Sequence, residues 1–478
     1  MVSASKLKSI GEAVVACTLV AVVASFGVKW FLGSDFGPGL QAPPMEFSAA
    51  VHEEPNDFKA DFLAAVELIE QRFSYLEHRT QLGELDLNSL TADAQSILGV
   101  DPDHRSFYRA LRHLVSGLHD GHAFVLTEKM IRPDLQQWPF RLTEVQEGVI
   151  VATLAENIDE LLGEIGGEDV QKLQVGDQLV AVDGRDINSW ISEAEAKVYA
   201  SSTLARRRQA IEHIVQWDES ADRSFLFRNA SGNEFELRFP HPYRHGRVAK
   251  VELYPSERAF DVLEDNIGYF RPGNFSPPRD SGWPGPPEGR DAILADSYAD
   301  FDRIIGELKS ARALILDLRG NPGGTDLLGQ FLVDRLLDEK YIYFQLSALR
   351  NNGWGGFGKH GSSSPPGKHS MARKPLAVIV DPATFSTADN VAACLRDVHP
   401  DVRFIGRPNG AGSGAPRSFK LPRTGSSITF CTQRVKSASG RMTEGVPVHI
   451  DIPVRWTRAD VAHGRDPDLL AAIESLTD

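Results

Sequence analysis

The first clear periodicity runs from Phe58 to Leu76, where Phe62, Ala65, Val66, Ile69 and Phe73 recur at steps of three and four residues. That spacing predicts a helix with one buried face, and a second such helix covers Ser106 to Leu118. Folding is expected to begin near Asp57, with a small helical domain over residues 57–132. After Pro133 the pattern changes to short β-type runs, Gly148–Ala152 and Gly176–Gly184, the second closing on a turn-forming Asp-Gly pair. A separate β-rich unit over 133–245 is the expectation. From Asn266 onward, strand-like runs (267–270, 313–316, 376–380 and 403–405) alternate with helical ones (296–309, 327–337 and 387–398). Such alternation predicts a layered α/β domain over 246–478. Two Gly/Pro/Ser-rich insertions, 276–289 and 351–368, exceed ordinary connections and are expected as surface loops bordering a cleft.

The apolar run Ala13–Val28, preceded by Lys6 and Lys8, has the length of a signal segment and is short for a spanning helix. It marks residues 1–33 for export or anchoring, which places the folded part outside the cytoplasm, periplasmic or extracellular. Lys29-Trp30 suits the interfacial end of an uncleaved anchor, so cleavage and membrane association both stay open. Residues 34–56, rich in Gly, Pro and small side chains, read as a linker.

A length of 478 residues and 42% hydrophobic content allow two or three cores. The formal charge of −14 and the lack of long basic runs argue against nucleic acid as a partner. Arg206–Arg208, the one basic cluster, reads as a solvated helix face. The three cysteines, Cys17, Cys394 and Cys431, make no disulfide framework, and no ligand spacing points to zinc or another metal. His119 and His122 lack a third ligand nearby. No cofactor is expected.

The chemistry concentrates in three distant strings. Ala313-Leu-Ile-Leu-Asp-Leu-Arg-Gly-Asn-Pro-Gly-Gly324 is an apolar strand entering a turn and then a helix near Leu327. Its consecutive glycines leave backbone N–H groups bare at a helix start, which suits stabilisation of an oxyanion. Leu376-Ala-Val-Ile-Val-Asp-Pro-Ala-Thr-Phe-Ser386-Thr-Ala-Asp389 is again strand, turn and helix, with a serine at the helix start. That serine could be a simple N-cap. A hydroxyl needs a base to become a nucleophile, and Leu118-His-Asp-Gly-His-Ala-Phe-Val125 offers His122, whose imidazole titrates near neutrality.

Together these strings resemble peptidase family S41, the tail-specific or C-terminal processing peptidases. The resemblance spans roughly Asp57 to Val454 and is strongest from Ala313 to Asp389. Asp317-Leu-Arg-Gly-Asn-Pro-Gly-Gly is characteristic of the family, and Ile267-Gly-Tyr-Phe-Arg271 resembles its opening strand. The family's nucleophile sits in a similar Ser-Ala-x-Glu arrangement, so Ser386 matches it, with Asp389 in place of the Glu. The lysine-assisted branch places a lysine about twenty-five residues after the serine. Gly406-Arg-Pro-Asn-Gly-Ala-Gly-Ser-Gly414 holds none there, Ala411 and Gly412 standing in that stretch. The tricorn-like branch takes its base from an Asp-x-His motif, which makes His122 the base and Glu444, in Gly440-Arg-Met-Thr-Glu444-Gly, the acid of its network. What the resemblance implies is a crotonase- or ClpP-like α/β catalytic domain with Ser386, His122 and Glu444 as catalytic residues. An oxyanion hole of Gly323 or Gly324 with Thr387, and cleavage of protein or peptide substrates without metal or cofactor, are implied with it.

Leu173-Gln-Val-Gly-Asp-Gln-Leu-Val-Ala-Val-Asp-Gly-Arg-Asp-Ile187 resembles the late strand and turn of PDZ domains, which bind chain ends. Two other readings stand beside the peptidase: a non-catalytic ligand-binding protein on this scaffold, like the family's retinoid-binding relatives, and a PDZ-type interaction module.

Overall fold

The computed structural model describes residues 55–127, 136–166, 172–213, 223–239, 243–244, 258–277, 289–350, 353–361 and 371–477. The segment 1–33, nearly all of the linker 34–56 and much of both insertions lie outside the described residues. No described helix is long and apolar enough to cross a membrane.

Helices α1 (Pro55–Arg72), α2 (Leu76–Gln81), α3 (Leu87–Leu98) and α4 (His104–Ser116) open the chain. Asp86 caps α3 by accepting from the Asn88 and Ser89 amides, and Asp103 with Ser106 forms a capping box on α4. The expected face of α1 is buried through Phe58, Phe62, Ala65 and Ile69, with Leu68 added. These helices do not close a core alone. Strand β1 (Phe124–Leu126) pairs antiparallel with a strand some 300 residues later, and Leu421, Ile428, Phe430 and Cys431 pack into the same core. A domain division at residue 132 therefore cuts through one shared hydrophobic cluster.

The β-rich unit holds β2 (Phe140–Val145), β3 (Gly148–Leu154), α5 (Ile158–Gly166), β4 (Gln178–Val182), α6 (Ile187–Glu195), α7 (Thr203–His213), β5 (Arg223–Arg228) and β6 (Glu234–Phe239). Its strands form one sheet in the order β2-β3-β4-β5-β6, over a core of its own in which Phe140 meets Phe225 and Phe227 edge-on. Arg206–Arg208 lie on α7 as expected but are half-buried, and Arg207 and Arg208 are paired, with Glu144 and Glu212.

The α/β domain contains β7 (Ala259–Leu263), β8 (Ile267–Arg271), α8 (Arg290–Glu307), β9 (Ala313–Asp317), α9 (Asp326–Leu336), β10 (Ile342–Arg350), β11 (Leu376–Val380), α10 (Thr387–Val398) and β12 (Val402–Gly406). Then follow the hairpin β13 (Pro416–Lys420) and β14 (Ser427–Cys431), β15 (Gln433–Lys436), β16 (Ile452–Pro453) and α11 (Pro467–Thr477). The main sheet runs β7-β8-β9-β11-β12-β16, parallel except for β7. Leu314 and Leu316 of β9 face the core built with α8, α9 and α10, while Ala313 and Ile315 face the one closed by α11. Burial on both faces is why the strands read as unbroken apolar runs. The hairpin pairs with β1 in a three-stranded sheet, so it fastens the helical segment to this domain.

Two residues of the 313–324 string hold the frame. Asp317 accepts from Arg319 and Arg271 and from the Tyr269 hydroxyl, and Arg319 reaches on to Asp466 and Asp468 at the head of α11. A buried charge network thus joins the end of β9 to the last helix. Asp381 Oδ1 accepts from the Gly320, Ala383 and Thr384 amides and sets the turns after β9 and β11 side by side.

Candidate active site

Ser386 begins α10 at the mouth of the turn after β11. Its φ of 59° and ψ of −120° lie where a non-glycine residue is strained, held by its amide donating to Gly412 O at 3.0 Å and its carbonyl accepting from Asn390 N. The side chain makes no cap hydrogen bond to α10. Its Oγ lies 3.0 Å from His122 Nε2, bridging 264 residues of sequence. A strand-to-helix turn strained in this way lifts a hydroxyl clear of the helix it would otherwise cap.

His122 reaches that point from the turn after α4. Asp120 Oδ1 accepts the His122 amide at 2.9 Å, and Gly121 N donates to Ser201 Oγ at 2.8 Å. A Cβ on Gly121 would come within 2.6 Å of the Phe385 ring, which packs on the His122 ring at a centroid distance of 4.5 Å. On the far side of the imidazole, Nδ1 lies 3.5 Å from Cys431 Sγ and 3.8 Å from Asp120 Oδ1. Burial lowers the His122 pKa below 6.5, and the Asp120 charge opposes that shift. The ring is therefore neutral at pH 7, and acceptors beside Nδ1 favour a proton there, leaving the Nε2 lone pair for Ser386.

The glycine turn lies against the serine. Gly323 has φ +94°, and a Cβ there would sit 2.7 Å from Ser386 Cβ and 2.8 Å from Thr387 N. Gly324, at φ +146°, is clasped by Phe275, whose amide donates to Gly323 O and whose carbonyl accepts from Thr325 N. Thr387 Oγ1 donates to Gly324 O at 2.8 Å. The three expected oxyanion residues are thus together. Gly323 differs from expectation in one respect: its N–H donates to Asn321 Oδ1 at 2.9 Å and must be released before serving a ligand.

Glu444 is fully buried, but it does not contact His122. Its carboxylate accepts from Arg79 Nη2 at 2.8 Å, from Ser413 N at 3.0 Å and from the Ser201 hydroxyl. Arg79 draws it away; that buried guanidinium also donates to His119 O, Ser201 O and Glu84. Glu444 reaches the histidine turn indirectly, through Ser201 and the Gly121 amide and through Arg79 and the His119 carbonyl. The carboxylate beside Nδ1 is Asp120, whose Oδ2 also accepts the Cys431 amide at 2.7 Å. Asp120 lay in plain view inside the Asp-Gly-His string, whereas nothing in the sequence marked Arg79, Ser201 or Cys431.

Asp389, the departure from the family's Glu, is buried one turn into α10. It accepts from Asn409 Nδ2 and, at 2.7 Å, from Gly412 N, and burial pushes its pKa up to about 7. It pins the 409–412 loop, whose Gly412 carbonyl in turn holds the Ser386 amide.

Residues 266–454 match the sequence model of Peptidase family S41. No curated protein matches in sequence. Mature CPAF has a similar structure, with a TM-score of 0.67 at 15% identity, covering 88% of this chain and 97% of its own. Mature CPAF complexed with lactacystin gives the same score and identity over 88% and 98%. A putative peptidase from Parabacteroides merdae gives 0.51 at 17% identity over 89% and 98%. At such identities the structures show a shared fold, and the sequence match supplies the family. Residues 266–454 thus carry the match to peptidase family S41, and it supports a serine peptidase.

Proposed function

We propose that the protein is an endopeptidase in which Ser386 is the nucleophile and His122 the general base. The observation that carries this reading is the 3.0 Å approach of Ser386 Oγ to His122 Nε2, made by a serine in a strained turn. Ser386 Oγ attacks the scissile carbonyl as its proton passes to Nε2, and the imidazolium then gives that proton to the leaving amine. Water repeats the sequence on the acyl-enzyme. Asp120, 3.8 Å from Nδ1, stabilises the charged ring. The Gly324 and Thr387 amides take the oxyanion, joined by Gly323 if its N–H leaves Asn321. Glu444 acts at a distance, fixing Ser201 and thereby the Gly121–His122 turn.

Substrates on this reading are proteins or peptides, met outside the cytoplasm if residues 1–33 export or anchor the chain, with the β-rich unit as a PDZ-like site for chain ends. Hydrolysis of an unfolded protein substrate tests the assignment. Ser386→Ala and His122→Ala should each lower kcat/KM by about 10⁴-fold or more while remaining folded. A folded Ser386→Ala protein with wild-type turnover overturns it.

A further inference from the structure

Behind the proposed catalytic pair, two side chains of the turn after α4 and one from the end of β14 converge, of which the serine mechanism uses the His122 ring and the Asp120 charge but not the Cys431 thiol. His122 Nδ1, Cys431 Sγ and Asp120 Oδ1 all lie within 4.8 Å of one another, and all three residues are buried. Their separations are 3.5 Å between nitrogen and sulfur, 3.4 Å between sulfur and oxygen and 3.8 Å between nitrogen and oxygen. A tetrahedral ion bound at the usual Zn–S, Zn–N and Zn–O lengths holds its ligand atoms roughly 3.3–3.6 Å apart. The triangle therefore already has close to the dimensions of one face of such a site. Its backbone is set independently: Asp120 Oδ1 accepts the His122 amide and Asp120 Oδ2 the Cys431 amide, so the turn and the end of β14 are locked together.

We infer that Asp120, His122 and Cys431 form an inhibitory site for a thiophilic divalent cation of the zinc type. The donor set selects the ion: a thiolate and an imidazole favour zinc-like cations over the oxygen-seeking calcium and magnesium. Charge also balances, because a thiolate and a carboxylate neutralise the two positive charges in a buried site, with one water molecule as the fourth ligand of the tetrahedron. On binding, the Cys431 thiol releases its proton to solvent and the metal–sulfur bond takes its place. His122 gives Nδ1 to the metal, and the single proton of the neutral ring then resides on Nε2. That nitrogen now donates to Ser386 Oγ and has no lone pair to accept from it. Inhibition thus follows from which nitrogen is occupied, with Ser386 itself untouched.

The inhibitory consequence rests on the proposed Ser386–His122 mechanism, whereas metal binding does not, and the experiment separates the two. The Ser386→Ala protein is titrated with Co2+ alone. One equivalent should give a thiolate-to-cobalt charge-transfer band in the near ultraviolet with visible bands of four-coordinate cobalt, and Zn2+ but not Ca2+ or Mg2+ should erase them. Cys431→Ser in that background should lose the charge-transfer band, Asp120→Asn should weaken binding about 10- to 100-fold, and Cys394→Ala should change neither. Circular dichroism establishes that each variant is folded. Absence of the band in folded Ser386→Ala protein, or its persistence in Cys431→Ser, overturns the site. In the second arm, Zn2+ should inhibit the wild type, EDTA should restore it, and Cys431→Ser should need at least about 10-fold more Zn2+ for half-inhibition of its own metal-free rate. Unaltered zinc sensitivity of Cys431→Ser overturns the inhibitory role. A wild type without peptidase activity overturns the catalytic reading and leaves the cobalt spectrum to decide the site.

Discussion

Ser386 combines three properties that no other described serine shows together: a strained backbone, a missing cap bond and a histidine nitrogen at hydrogen-bond distance. Gly323 makes that possible by bringing bare backbone to the serine. Gly323→Ala would put a methyl group 2.7 Å from Ser386 Cβ at φ +94°. It should cost about 1–3 kcal/mol of stability, read by denaturant unfolding. It should also cost about 10²-fold in kcat, since a shift of about an ångström at the nucleophile suffices for that. A Gly323→Ala enzyme with unchanged kcat would show that the close approach is irrelevant. Asp120 gives a second residue-scale prediction, measured with chelator present. The acid limb of kcat/KM should lie below pH 6.5, because burial depresses the His122 pKa. Asp120→Asn removes the charge that opposes this depression, so the limb should move to still lower pH while kcat falls. A limb that moves upward contradicts the assignment.

Secondary elements explain what the sequence revealed and what it hid. The parallel strands were legible because both faces are buried, and the turns after β9 and β11 because Gly-Gly and the serine sit at strand ends. Ser386 and His122 were legible as motif members. The helical segment was expected to stand alone, yet its core is completed by β13 and β14, a partnership that no local periodicity encodes. The same long-range pairing puts Cys431 beside His122. Arg79 is a further case: an unremarkable arginine on the short helix α2 is 1% exposed and donates to two backbone carbonyls and two carboxylates. It was invisible because its partners lie 5 to 365 residues away. Arg79→Met leaves Glu444 buried without its cation and should destabilise by about 3–5 kcal/mol, seen as a lowered Tm. Arg79→Lys, lacking the planar fork, should recover only part. An unchanged Tm in Arg79→Met would remove Arg79 from the frame of the site.

At the scale of the whole molecule, one charged network spans β8, β9 and the start of α11. Arg319 and Arg271 hold the buried Asp317 carboxyl at a pKa of about 2 against an ordinary value of 3.8. A depressed carboxylate contributes stability that is present above the ordinary value and lost as pH falls through the folded one. The window is therefore about pH 4 to 2, and the contribution is about 2 kcal/mol. The stability gap between wild type and Asp317→Asn should shrink by roughly that amount across the window, whereas a gap independent of pH contradicts the network's charge. The frame so built carries two turns and a distant histidine to one point, and everything proposed about function depends on their meeting. A fluorophosphonate probe with peptide mapping by mass spectrometry tests that meeting most directly. The account predicts a single adduct on Ser386, formed far more slowly in His122→Ala and absent in Ser386→Ala. A folded wild-type protein that stays unlabelled, or carries the adduct on another residue, contradicts it.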